Sequence, residues 1–221
     1  MFISFASIVF GFSLGALAAP SSLGGDSLAQ RTSTTCGGLN GIAGFFDTTP
    51  NVTLSAWNRT LPNANDTGVP LVLVPIGETG GPNAVHLENL ATFASVGINF
   101  WPTVALDQGT LIGNFMSTPA DGGVPTFTVA TQAAAGTALQ FSSSSKSLPN
   151  NPIFCAVAST SAEGGGPRGP ALAIGTDTDH FSLCQSQGPA NLIIYQASAT
   201  NDGSYDFNTC YPVTVVIDDL V

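Results

Sequence analysis

The chain has 221 residues, and only 8% of them are charged; 4 basic residues stand against 14 acidic ones, for a net charge of -10. Binding to nucleic acid needs clustered Lys and Arg to displace counterions. Arg31, Arg59, Lys146 and Arg168 are scattered, so neither a nucleic acid nor an anionic membrane surface is expected as a partner.

Phe2 to Leu17 is an apolar run without charge, and Ala16-Leu17-Ala18 supplies the small-x-small pattern that signal peptidase accepts. It is short for a membrane span, which needs about 20 residues. Residues 1–18 are therefore read as a cleaved signal peptide, and the protein as secreted, extracellular or in the cell wall. Val215 to Val221 carries two aspartates and does not read as a lipid-anchor signal, so no membrane anchor is expected. Residues 19–35 are rich in Ser, Gly, Thr and Gln and read as a flexible arm.

Residues 36–221 are expected to form one all-β domain. Short apolar runs alternate there with turn chemistry: Ile42 to Phe46, Val52 to Trp57, Val69 to Ile76, Ala84 to Leu87, Thr103 to Leu106, Thr110 to Phe115 and Phe127 to Ala130. Thr137 to Phe141, Ile153 to Ala158, Ala171 to Ile174, Phe181 to Cys184, Leu192 to Gln196 and Val213 to Ile217 follow. Most have strand length and strand composition, and several alternate apolar with polar residues. Asp107-Gln108-Gly109 and Asn201-Asp202-Gly203 are hairpin turns by residue type. Ser142 to Ser145 and Glu163 to Gly169 read as loops. With 25 glycines and 15 prolines there is little room for a helix; Thr131 to Ala138 is the best helical window and is short. This many short strands predict a single antiparallel β-sandwich or a barrel-like domain, with a β-trefoil as the alternative.

Four cysteines, Cys36, Cys155, Cys184 and Cys210, allow three connectivities that spacing alone does not select. The arrangement favoured joins Cys184 to Cys210 around one predicted hairpin and Cys36 to Cys155, tying the N-terminal arm to the domain. No zinc-ligand spacing occurs, and neither a metal nor a cofactor is expected. Asn51-Val52-Thr53, Asn58-Arg59-Thr60 and Asn65-Asp66-Thr67 are N-glycosylation triplets, so Asn51, Asn58 and Asn65 are expected on the surface as glycan acceptors.

Several catalytic signatures fail on context. Gly11-Phe12-Ser13-Leu14-Gly15 lies inside the leader, and Gly164 to Gly169 precedes a strand-like run rather than the helix that a dinucleotide site requires. Asp66-Thr67-Gly68 matches an aspartic-protease loop but occurs once, among turn residues. Asp177, Asp179 and His180 concentrate two carboxylates and an imidazole in four residues, the best catalytic candidates for acid/base chemistry. His86 and Glu88 are expected to share one strand face as a polar pair. Among the aromatic residues, Trp101 and Tyr205 are candidates for stacking on sugar rings.

Thr53 to Asn58, Thr60 to Asn65, Pro70 to Leu73, Pro102 to Leu106 and Gly109 to Leu111 resemble small secreted proteins of mushroom-forming fungi that have no assigned activity. Phe181 to Cys184, Asn191 to Tyr195 and Cys210 to Val213 are similar to the same group, and more distantly to fungal cell-wall proteins of the phialide-associated type. The resemblance covers most of the chain after the leader and implies a fungal extracellular or wall location without an established activity. The leading expectation is a non-catalytic secreted or wall-associated protein that binds polysaccharide. The alternative is a secreted hydrolase of carbohydrate or ester that uses acidic residues.

Overall fold

In a computed structural model of the chain, Cys36 and residues 45–79, 84–116, 127–158 and 166–219 are described. The segments read as leader and arm and the Gly11 to Gly15 motif lie outside the described residues, as do residues 163–165 of the expected Glu163 to Gly169 loop. The strands are β1 (Phe45–Phe46), β2 (Thr49–Asn58), β3 (Val69–Glu78), β4 (His86–Thr92), β5 (Thr103–Asp107), β6 (Thr110–Asn114) and β7 (Phe127–Gln132). They continue as β8 (Thr137–Ala138), β9 (Gln140–Ser144), β10 (Phe154–Val157), β11 (Ala171–Ile174), β12 (Phe181–Gln185), β13 (Asn191–Tyr195) and β14 (Tyr211–Asp219). The short helix α1 is Phe93–Val96, and a 3-10 turn covers Phe207–Thr209.

Antiparallel pairing closes a ring of nine strands, β2-β14-β12-β13-β4-β9-β7-β6-β5, which returns to β2. β3 pairs with both β2 and β4, and β1, β10 and β11 attach outside the ring through β14. The all-β expectation therefore takes its barrel form. Closure leaves few free edges, which suits a chain of many short strands.

Local chemistry explains the turns. Gln108 and Gly109 both have positive φ, 48° and 80°, so β5 and β6 meet through a two-residue turn whose twist matches the strands. The segment after Asn201-Asp202-Gly203 corrects the expected hairpin. Gly203 does turn the chain, but Tyr205 makes only an isolated bridge to Ser186, and Phe207–Thr209 then coils. Asp206 explains this: its carboxylate accepts from the Asn208 backbone N–H at 3.0 Å and caps the turn.

Ser142 to Ser144 is a second correction, because these residues form the end of β9 rather than a loop, and all three are buried. Their hydroxyls have partners: Ser143 Oγ meets Thr128 Oγ1 at 2.8 Å, and Ser142 Oγ meets Thr131 Oγ1 at 3.2 Å. A hydrogen-bonded serine can be buried at modest cost. The Thr131 to Ala138 window is not helical; it ends β7, turns at Gly136 with φ 75°, and forms β8.

The main core gathers Leu73, Leu90, Leu106, Leu111, Phe141, Phe154, Phe181, Ile193 and Val215. A second cluster holds Ala91, Cys184, Leu192, Ile194 and Tyr205. β13 serves both: Ile193 and Tyr195 face the main core, Leu192 and Ile194 the second. Two disulfides, Cys36–Cys155 and Cys184–Cys210, use all four cysteines.

Candidate functional site

β12 ends at Gln185, beside Cys184, whose disulfide joins it to Cys210 at the entry to β14. The chain between them is pinned at several points. Asp206 N–H donates to Gln185 O at 2.9 Å, Gln187 N–H to Ser204 O at 3.2 Å, and Gln185 N–H to Thr209 Oγ1 at 2.9 Å. Tyr205 is 2% exposed, and its hydroxyl accepts from Ser198 N–H at 2.9 Å while lying 3.1 Å from Ser198 O, to which it donates. Asn201 is held too, accepting from Gly203 N–H at 2.7 Å and donating to Ser198 O at 3.1 Å.

These constraints shape an open cleft of about 490 Å³, within the range of small-ligand sites. Gln185, Gln187, Asn201, Asp206, Phe207 and Asn208 contribute its lining. Phe207 is 40% exposed and is part of the lining. The Gln185 and Gln187 amides each combine donor and acceptor atoms. Among the described residues, the lining carries one carboxylate, Asp206, and no cationic side chain. Such a cleft can donate to and accept from hydroxyl groups and pack an aromatic ring against C–H faces.

The aromatic candidates read from the sequence need correction. Trp101 is 6% exposed and lies inside the barrel, its Nε1–H donating to Thr128 Oγ1 at 2.9 Å and its ring 5.5 Å from that of Phe115. Pro102 ends the local run, but Gly113 leaves the space that the indole fills; a Cβ there would approach Trp101 Cδ1 to 3.0 Å. Tyr205 belongs to the cleft as a buried wall, not as a stacking face, because its ring packs in the second core cluster.

The acidic candidates form a separate cluster. His180 Nδ1 lies 2.8 Å from both carboxylate oxygens of Asp177, and Tyr195 donates its hydroxyl to Asp177 Oδ2 at 2.8 Å. Burial pulls the Asp177 carboxyl upward, but bonds from Asp179 N–H, His180 and Tyr195, with the His180 charge, outweigh it and hold the group at about 2. Burial and then the Asp177 carboxylate push the Tyr195 phenol up to about 12. Asp179 turns away to Arg59, whose guanidinium lies 3.2 Å from its Oδ1. The three candidates are neighbours: Asp179 N–H donates to Asp177 Oδ1 at 3.0 Å, but only Asp177 and His180 are hydrogen-bonded side chain to side chain, and none lines the cleft.

Asn51 lies on β2 and accepts from Asn114 Nδ2 at 3.0 Å. Asn58 ends β2 and receives Thr60 N–H and Leu61 N–H at 2.8 and 2.9 Å, while Asn65 receives Gly68 N–H at 2.7 Å. Asn51 and Asn65 are exposed and Asn58 is half-buried. In Asp66-Thr67-Gly68 the first two residues are exposed and Gly68 is buried, and Asp66 pairs with Arg168.

The cleft amides escape sequence reading because isolated Gln and Asn side chains form no motif. The legible signal was the turn Asn201-Asp202-Gly203, which lies at the edge of the cleft. No protein-family model, no curated protein and no solved structure matches the chain.

Proposed function

We propose that the protein is a secreted, non-catalytic, wall-associated protein that binds a neutral polysaccharide in the Gln185–Asn208 cleft. The observation that carries this reading is the combination in one cleft of amide side chains, a single carboxylate and the exposed ring of Phe207. Amides satisfy sugar hydroxyls in either direction, and a phenyl face packs on pyranose C–H groups. A net charge of -10 and a cleft without cations oppose anionic glycans. The apolar leader and two disulfides support an extracellular setting.

Retention on insoluble chitin, β-glucan and mannan tests the reading. The protein is expected to be retained on at least one of them, and Phe207→Ala or Gln187→Ala to weaken that retention about tenfold, equivalent to roughly 1.4 kcal/mol. Failure to bind any of the three removes the proposal.

The Asp177–His180 contact favours a second reading, a hydrolase of carbohydrate or ester. A carboxylate on Nδ1 orients the imidazole with Nε2 outward, as a general base requires. Substituting Asp177, Asp179 and His180 together by Ala should abolish any hydrolysis of polysaccharide or aryl ester; activity that survives rules this reading out.

A further inference from the structure

β4 is where the nine-strand ring is joined between its two halves. Its edge pairs with β9 from His86 to Asn89 and then passes to β13 at Ala91. Glu88 sits in this seam, directly opposite Phe141 of β9 and Pro75 of β3, and is 1% exposed. A line of polar groups leads to it through the barrel interior. Trp101 Nε1–H donates to Thr128 Oγ1 at 2.9 Å, and Thr128 Oγ1 lies 2.8 Å from Ser143 Oγ. Ser143 in turn hydrogen-bonds Glu88.

The two ends fix the direction of this line when Glu88 is ionised, because the indole nitrogen can only donate and a carboxylate can only accept, which leaves each hydroxyl hydrogen one place to go. Thr128 accepts from it and passes its own hydroxyl hydrogen to Ser143, which donates to the Glu88 carboxylate. One carboxylate oxygen is thereby served. The other, Oε2, is buried without a hydrogen-bond partner among the described residues. The residues directly facing Glu88 are uncharged, and Pro75 has no side-chain donor to offer. Among the described residues, the nearest titratable group in register is His86, two residues along β4 on the same face; position 78 of β3 stands opposite His86, and Lys146 lies beyond the end of β9.

We propose that the β4–β9 seam is a pH-sensitive latch, firm while the Glu88 carboxyl keeps its proton and weakened when that proton leaves. A charge there would have one donor and, among the described residues, no facing countercharge inside the closed barrel, and the strands can relieve it only by admitting water. Burial, partly opposed by the bond from Ser143, pushes the carboxyl from its ordinary 4.5 up to about 7. The folded protein therefore holds a proton that the unfolded chain has already lost, so stability falls as pH rises from about 4.5 to 7 and levels off above.

Two measurements on the full-length secreted protein test the latch. The thermal midpoint is expected to fall by several degrees between pH 4.5 and 7 in the wild type, and this slope to vanish in Glu88→Gln. His86→Gln should keep the slope, which separates the carboxyl from the imidazole. In ¹⁵N NMR the chain has only two indole signals, because it has two tryptophans. The Trp101 signal should move with a midpoint near 7 in the wild type and stay fixed in Glu88→Gln. A flat wild-type profile, an indole that does not titrate, or a slope that follows His86 would overturn the proposal. The wild-type measurements decide the matter even if Glu88→Gln does not fold.

Discussion

Asp177 and Gly68 show how much one residue can depend on its surroundings. The Asp177 carboxyl is held at about 2, below its ordinary 3.8, so the folded protein binds fewer protons there than the unfolded chain. That contribution is complete above about pH 4 and is lost as pH falls through 2. Urea unfolding between pH 5 and 2 should show wild-type stability declining more steeply than that of Asp177→Asn; equal slopes would count against the bonding described. Gly68 has φ 88°, and a Cβ there would stand 2.5 Å from Ala56 O. Gly68→Ala combines left-handed strain with a clash against a β2 carbonyl, and should cost about 1–3 kcal/mol, read as a lower urea midpoint. The sequence marks Asp66-Thr67-Gly68 as a turn, but not the carbonyl that makes glycine obligatory.

Among the elements, alternation located the strands more reliably than composition located the loops. Phe127-Thr128-Val129 is legible as a half-buried strand, and β7 occupies it. Ser142 to Ser144 is not legible, because four consecutive serines look like linker until Thr128 and Thr131 stand across from them. Asn201 to Phe207 misleads in the opposite direction: its residues suit a hairpin, yet the Asp206 cap coils the second arm and so opens the cleft. The Cys184–Cys210 disulfide, 26 residues apart in sequence, anchors that coil. Replacing both cysteines with Ala should cost about 3 kcal/mol in the chain-entropy account. Glycan retention should fall further than the unfolded fraction explains, measured at a temperature where the variant is still folded.

For the whole molecule, charge and closure dominate. With a sequence pI near 4.1, the protein should be least soluble near pH 4; a solubility minimum above pH 6 would contradict this. The latch adds an opposing tendency, since the barrel is expected to be more stable near pH 4.5, where Glu88 is neutral and Asp177 is still charged, than above pH 7. Acid should therefore precipitate this protein in a folded form, which circular dichroism of the redissolved material would check.

Most strand positions, the Asp107-Gln108-Gly109 turn and the all-β class follow from the sequence alone, because side-chain alternation and glycine at positive φ are local properties. Alternation also put His86 and Glu88 on one face of β4. It does not say which strand lies alongside, or what covers that face. β14 pairs with β2 from the far end of the chain, and β9 reaches β4 across about fifty residues; burial arises from such non-local pairings. Only the tertiary structure could bury Glu88 and Trp101, leave Phe207 exposed, and collect scattered amides into one cleft.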